Sequence, residues 1–341
     1  MSINVGIICP SEIAFRRFLP SLQKVKDFSF KGVAIATPEE WSRGGVPAED
    51  TSAQLEIERE KAQRFVDGYG GIIYEGYKTL ITSPDVDVVY LPLPPALHFG
   101  WAKMALECGK HAYVEKPFTT RLEDTRQLLT LAKEKKLAVH ENYMFIYHNQ
   151  LAAIKALIER GDIGKVRQYR ISFGFPRRAS TDFRYNKALG GGALLDAGGY
   201  CIKFASFLLG ESARIVCANL YHEKEFEVDI FGSCTMVNDE GTVVQMSFGM
   251  DNDYKCELEA WGSTGTLTTG RVLTAPDGLE PEAVIKHNQE LTTIKLPSDC
   301  AFEKSINHFY DCLMSEKTRE ENYHIIERQS CLIHDFMKLS D

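Results

Sequence analysis

The sequence predicts an α/β protein of two domains, a doubly wound parallel sheet followed by an α+β domain with a large open antiparallel sheet. Three observations predict it. As far as about Phe145, short β-branched apolar runs alternate with helical patterns, and parallel strands need crossover helices on both faces of their sheet. Beyond that point strand-like segments follow one another across short Asp/Glu-Gly or Asn-Asp turns, which join antiparallel neighbours. Third, 341 residues at 44% hydrophobic composition are enough for two separate cores. The domains are expected at 1–146 and 147–341.

Each element has its own local reason. Ile3 to Ile8 is an apolar β-branched run, and after Cys9-Pro10-Ser11 the spacing of Ile13, Ala14, Phe18, Leu19 and Leu22 predicts a helix. A second strand is expected over Lys31 to Ala36. The polar stretch from Thr37 to about Ser52, with Pro38, Pro47 and Gly44-Gly45, reads as a surface loop. A charged helix from about Ala53 to Tyr69 follows, then a short strand at Ile72–Tyr74, a helix at Tyr77–Thr82 and a strand at Val86–Leu91 that stops at Pro92. Further alternation is expected through a helix around His98–Cys108, the strand Ala112–Val114, the helix Leu122–Lys135 and the strand Leu137–His140. The second domain is expected to open with a helix at Leu151–Glu159. Its strands are Val166–Phe173, Ile215–Leu220, Asp229–Val237, Thr242–Phe248, Lys255–Trp261, Gly265–Thr268 and Ala283–Lys286, and helices over Ala301–Leu313 and Tyr323–Leu339 close it.

Composition excludes several classes. A formal net charge of -8 argues against a nucleic-acid partner, while allowing a local basic pocket for a small anion. No apolar run is read as a membrane span, and the first residues lack the zones of a secretory signal, so a cytoplasmic protein is expected. Nine scattered cysteines without a C-x-x-C spacing predict neither a metal site nor a disulfide framework.

Chemistry is concentrated in a few places. His111-Ala-Tyr-Val-Glu-Lys-Pro117 is a strand that runs directly into Glu115, Lys116 and Pro117, delivering an ammonium group beside a stiffened backbone. Such a group donates a proton to a nascent alkoxide or stabilises it, although a surface Glu-Lys pair has the same local sequence. At the first strand–helix turn, Cys9, Ser11 and Ala14 stand where a dinucleotide fold shows glycines, and Pro10 offers no N–H. Cys9, Ser11, Glu12 and Ile13 are nonetheless the candidates for a pyrophosphate, because this is the junction where doubly wound folds bind one. The second strand ends Ala36-Thr37-Pro38 without the acidic residue of NAD sites, which leaves room for a 2′-phosphate at Thr37, so NADP(H) is favoured over NAD(H). Glu39 and Glu40 close by argue the other way, and Arg43 reads as a solvated loop arginine rather than the phosphate's cation. Gly190-Gly191-Gly192 leads into Asp196 and Tyr200, four residues apart and so on one helix face. Gly198 and Gly199 between them cost on the order of 1 kcal/mol each relative to alanine, so a ligand or a tightly packed neighbour is expected to need close approach. Asn142 follows a strand at the edge of the expected cleft. Arg177, Arg178, Arg184 and Lys187 make a basic run able to bind a diphosphate, or simply a solvated loop.

Glu115-Lys116-Pro117, the glycine-rich lead into Asp196 and the Asp-x-x-x-Tyr spacing resemble the glucose-fructose oxidoreductase/inositol dehydrogenase/MocA family of NAD(P)-dependent sugar oxidoreductases, over nearly the whole chain. Within it, Glu12-Ile-Ala-Phe-Arg-Arg-Phe-Leu-Pro20, Tyr90-Leu-Pro-Leu-Pro94, Glu141-Asn-Tyr-Met-Phe145 and Trp261-Gly-Ser-Thr-Gly265 are similar to NDP-hexose 3-ketoreductases of deoxysugar biosynthesis. The resemblance implies a Rossmann domain, a Lys-Pro bond that is often cis, and Lys116 facing nicotinamide and substrate. It also implies Leu91, Pro92, Pro94 and His98 in the loop and helix under the nicotinamide ribose, although His98 reads equally as a helix N-terminal histidine without a ligand. Glu115 and Lys116 are implied as cofactor contacts, and subunits as pairing through the open sheet into a homodimer or homotetramer. Tyr200 stands where the inositol dehydrogenase branch has histidine. The loop from Pro38 to about Glu56 looks longer than in those relatives and has no functional account.

The function expected is reduction of the C3 ketone of a nucleotide-linked deoxyhexose by NADPH. Lys116 and Tyr200 serve the alkoxide, Asp196 orients them or binds a substrate hydroxyl, and Arg177 and Arg184 meet the diphosphate. A dehydrogenase of free sugars or trans-dihydrodiols is the alternative, and a non-catalytic ligand-binding member is a second.

Overall fold

The computed structural model describes residues 2–42 and 51–340 and divides into two compact units. The expectations for Arg43, Gly44-Gly45 and Pro47 lie outside the described residues.

The first unit holds the chain up to Asn142, Ala188–Gly190 and Phe302–Ser330. Its strands are β1 (Ile3–Ile8), β2 (Phe28–Ile35), β3 (Ile72–Glu75), β4 (Val88–Leu91), β5 (His111–Val114) and β6 (Val139–Glu141), all parallel, in the order β3-β2-β1-β4-β5-β6. Their near-continuous apolar runs follow from helices covering both faces; β4 is buried along its whole length. The order reverses between β1 and β4, and the carboxyl ends of these strands are where such sheets take their ligands. After β1 comes a π-helical turn, Ala14–Phe18, that continues as α1 (Leu19–Leu22). Pro20 supplies no N–H, and the amide of Leu19 reaches five residues back to Ala14. Where a loop was expected after Thr37, a short helix α2 (Pro38–Ser42) starts at once. Thr37 and Glu40 cap it reciprocally, Thr37 N–H donating to Glu40 Oε2 (3.0 Å) and Glu40 N–H to Thr37 Oγ1 (3.3 Å). The T-x-x-E signature for this cap was in the sequence. The helices α3 (Ser52–Tyr69), α4 (Tyr77–Thr82), α5 (Pro95–Glu107) and α6 (Leu122–Lys135) follow, and α9 (Ala301–Met314) joins the same unit from far along the chain.

The second unit holds Tyr143–Lys187, Gly191–Ala301 and the residues from Cys331 on. Its eight strands run in the order β14-β13-β12-β11-β7-β10-β9-β8. They are β7 (Val166–Gly174), β8 (Arg214–His222), β9 (Asp229–Val237), β10 (Val243–Gly249), β11 (Lys255–Gly262), β12 (Thr266–Gly270), β13 (Glu282–His287) and β14 (Glu290–Lys295). Neighbours among these strands are antiparallel except β7 and β10, which run parallel. Strict alternation in β9 puts Ile230, Cys234 and Met236 on the core face, where Ile202, Phe204 and Ala205 of α8 (Gly199–Leu209) and Leu151 and Ile154 of α7 (Asn149–Glu159) meet them. β14 was not expected. It is an edge strand with mostly exposed side chains, so no apolar alternation marks it. One reading is corrected: the 23-residue segment Lys187–Leu209 is long enough, and over 18 residues apolar enough (mean hydropathy 1.2), to cross a membrane, but 67% of that stretch is buried inside the protein.

Candidate active site

In the first unit the site grows from the ends of β4 and β5. Glu115 N–H bonds to Leu91 O (3.2 Å), extending the strand pairing to the Glu115-Lys116 pair. Tyr90 donates its hydroxyl to Glu115 Oε1 (2.7 Å), and Asn142 Nδ2 donates to the same oxygen (2.7 Å). Burial raises the carboxyl pKa of Glu115, and these two bonds offset only part of that rise. The Lys116-Pro117 peptide is cis, and Lys116 is half-buried. The turn after it is held from two sides. Phe118 N–H donates to the buried Glu141 Oε1 (2.9 Å), and the ring of His98 bridges Pro117 O and Leu93 O, at 2.8 Å each. Burial lowers the His98 pKa to about 4, against the two carbonyls, which raise it; the neutral ring carries one N–H and donates to one of the two oxygens at a time.

The first turn achieves without glycine what glycine does elsewhere. Cys9 adopts a left-handed conformation (φ 77°), its N–H bonds to Ala34 O (3.1 Å), and Ser11 N–H bonds back to Cys9 O (2.9 Å). Ser11 Oγ then accepts from Ala14 N–H (3.2 Å), leaving Glu12 and Ile13 to open the helix where amides have no acceptor within it. The side chain of Glu12 pairs with Arg64 (3.5 Å), and Ile13 is exposed. Cys9 Sγ lies 3.7 Å from Glu58 Oε2, and burial pushes its pKa up. At the end of β2, Glu40 is occupied: besides the Thr37 amide its carboxylate accepts from Tyr77 N–H (2.8 Å) and Lys78 N–H (2.9 Å). A left-handed turn, a helix opening and a strand end with its nearby carboxylate engaged fit a dinucleotide with a 2′-phosphate.

In the second unit a π-turn, Leu194–Gly198, runs into α8 and carries Asp196 and Tyr200. Asp229 of β9 caps it, accepting from Leu194 N–H (2.6 Å), and sits so close to Gly192 (φ +122°) that a Cβ there would lie 2.3 Å from its Oδ1. The ring of Tyr200 stands among Tyr143, Phe145 and Phe173, at centroid distances of 5.2, 5.4 and 5.4 Å. The close approach expected at Gly198 and Gly199 is met by packing: Cβ atoms there would fall 2.8 Å from Phe248 and 2.1 Å from Tyr143 Oη. The basic run does not act as one patch. Arg184 donates to Asp196 (2.6 Å) and Asp182 (3.1 Å), whereas Arg177 is bound to Asp251 (2.6 Å) with Glu223 and Glu225 at 3.9 and 4.0 Å. Arg178 lies over Phe175, and Lys187 is exposed. Tyr90, Glu141, Asp229 and Ser305 were missed by sequence reasoning. Asp229 and the isolated Ser305 carry no local signal, whereas Tyr90 and Glu141 stand in motifs that carry the family resemblance, without a role of their own there.

A β3-β2-β1-β4-β5-β6 parallel sheet with a lysine at a strand end, together with an α+β unit bearing an Asp/Tyr helix, defines a two-domain nicotinamide-dependent oxidoreductase. Residues 4–143 match the oxidoreductase family model with an NAD-binding Rossmann fold, and residues 151–268 match the C-terminal domain model of the same family. The chain belongs to the GFO/IDH/MocA family. It is 34% identical to the dTDP-3,4-didehydro-2,6-dideoxy-alpha-D-glucose 3-reductase of Actinomadura kijaniata, over 97% of this chain and 93% of that one. A protein of the same description from Streptomyces violaceoruber is 38% identical over 82% of this chain and 76% of its own. Among solved structures, KijD10, a 3-ketoreductase from Actinomadura kijaniata in complex with NADP and TDP-benzene, superimposes with a TM-score of 0.89 at 33% identity, covering 100% of this chain and 98% of that one.

Proposed function

We propose that this chain reduces the C3 ketone of a deoxyhexose carried on a nucleoside diphosphate, with NADPH as reductant. The observation that carries this reading is the likeness to 3-ketoreductases along nearly the full length of both chains. Bound NADPH supplies the hydride to the carbonyl carbon. The main chain at Cys9, Ser11, Glu12 and Ile13 receives the pyrophosphate, and Thr37 stands at the 2′-phosphate. Leu91, Pro92, Glu115 and Asn142 line the nicotinamide ribose, with His98 holding their loops in register. Lys116 and Tyr200 supply the proton, or the positive field, for the oxygen that becomes an alkoxide. Asp196, aimed by Arg184, accepts a sugar hydroxyl. The protein acts in the cytoplasm as a homodimer or homotetramer paired through the open sheet.

One observation favours a second reading, a dehydrogenase of free sugars or dihydrodiols: Arg177 and Arg184 both already face carboxylates, leaving less charge for a diphosphate. Titration with NADPH and NADH, followed by nicotinamide fluorescence with and without dTDP, UDP and GDP, separates the two. NADPH binding that responds to one diphosphate, followed by turnover of its 3-keto sugar, supports the ketoreductase. NADPH binding indifferent to all three favours the second reading, and no binding of either cofactor sinks both.

A further inference from the structure

The register of β4 and β5 pairs Tyr90 with Tyr113, so both rings stand on one face of the sheet. Phe18 stacks on the first at 3.9 Å and tilts against the second at 5.2 Å. Their hydroxyls then diverge. Tyr90 donates to Glu115, and Tyr113 donates to Asn142 Oδ1 at 2.8 Å. Ser305 of α9, 192 residues from Tyr113, donates to the same Oδ1 at 2.9 Å. Its Oγ also lies 2.8 Å from the Tyr113 hydroxyl and 2.9 Å from His140 Nε2. An asparagine amide is nearly symmetric in shape, and turned over it would aim its oxygen at the Glu115 carboxylate. The carboxylate only accepts, so it takes Nδ2, and the hydroxyls of Tyr113 and Ser305 hold Oδ1 from the other side. Tyr113, His140, Asn142 and Ser305 are each at most 1% exposed, so water does not replace a lost donor.

We propose that Ser305, with Tyr113, is a positioning residue for the cofactor site: through the Asn142 amide it fixes the Glu115 carboxylate at the strand end that carries Lys116. This rests on the reading of Glu115 and Lys116 as part of the NADPH site.

The test is a double-mutant cycle of Ser305→Ala and Glu115→Gln, read as the NADPH dissociation constant by nicotinamide fluorescence, with Tm of the unliganded proteins alongside. Each single change is expected to weaken NADPH about tenfold, and the double variant to bind no more than about twofold weaker than Glu115→Gln alone, because the serine acts through the carboxylate. Tyr113→Phe, which keeps the ring, should behave as Ser305→Ala does. A serine that served only the fold would lower Tm equally in both backgrounds and leave NADPH affinity alone; that result, or single effects that multiply, overturns the inference. The outcomes are separable from those of the functional reading. Wild-type NADPH binding without turnover of any 3-keto sugar nucleotide removes the ketoreductase and leaves the cycle readable, whereas multiplying effects remove the inference and leave turnover intact.

Discussion

Arg184 donates from Nε to Oδ2 of Asp196 at 2.6 Å while its Nη1 holds Asp182 at 3.1 Å, so one half-buried guanidinium bridges two carboxylates just ahead of the helix that carries Tyr200. The fork fixes where the Asp196 carboxylate points, which a single ammonium cannot do. Arg184→Met is expected to lower kcat/KM by about 10- to 100-fold, and Arg184→Lys to recover little of it. Arg177, exposed and surrounded by Asp251, Glu223 and Glu225, is expected to matter less: Arg177→Gln should change the substrate KM less than about threefold. Steady-state kinetics on the pair checks both.

Lys116→Met and Tyr200→Phe are expected to lower kcat by about 10²- to 10⁴-fold, the usual range for removing a positioned proton donor. NADPH affinity should stay within a few-fold of wild type for Tyr200→Phe. Equal losses in kcat and in cofactor binding for that variant would place the tyrosine in the cofactor site instead.

Thr37→Asp tests cofactor choice. Aspartate still accepts the Glu40 N–H at the cap of α2, so the helix start survives, while a new negative charge stands at the end of β2. The expected result is at least about a tenfold fall in kcat/KM with NADPH and an unchanged or higher value with NADH, because a 2′-phosphate is repelled and a 2′-hydroxyl accepted.

His98 gives a pH dependence with a definite sign. Burial holds its folded pKa near about 4, below the ordinary value of about 6.5. As pH falls the unfolded chain takes up the proton first, so the contribution of His98 to stability is complete above pH about 6.5 and is lost progressively down to pH about 4. His111, lowered to about 4 by burial and by Arg319, acts in the same direction. His98→Gln removes its share, so the Tm gap between wild type and variant should narrow from pH 7 to pH 4. A gap that widens on acidification would show a ring that is already a cation in the fold, donating to Pro117 O and Leu93 O together, and a constant gap would show a pKa that folding does not shift.

Gly199→Ala is expected to destabilise the protein by about 2 kcal/mol or more, since its Cβ would fall 2.1 Å from Tyr143 Oη. Tyr143→Phe removes that oxygen, and the next ring atom is 3.2 Å away, so the double variant should recover part of the loss in thermal unfolding. Additive losses would mean that the strain lies elsewhere in the helix.

The sequence by itself determined the order and type of nearly every element, because apolar periodicity is local: β1, α4 and α6 span the residues read from pattern alone. It also determined the chemistry on offer, since Glu115, Lys116, Asp196 and Tyr200 lie in short motifs at recognisable spacings. Tertiary structure decided what those residues are held by. The parallel pairing of β7 with β10, the polar edge strand β14 and the packing of Phe302–Ser330 with the first unit depend on which distant segments meet. So do the clamp of His98 on Pro117, the cap of Asp229 on Leu194 and the contact of Ser305 with Asn142. A lone serine or a strand tyrosine looks the same to its sequence neighbours whether or not a buried amide faces it. The fold, by bringing those groups together and excluding water, gives each one its role.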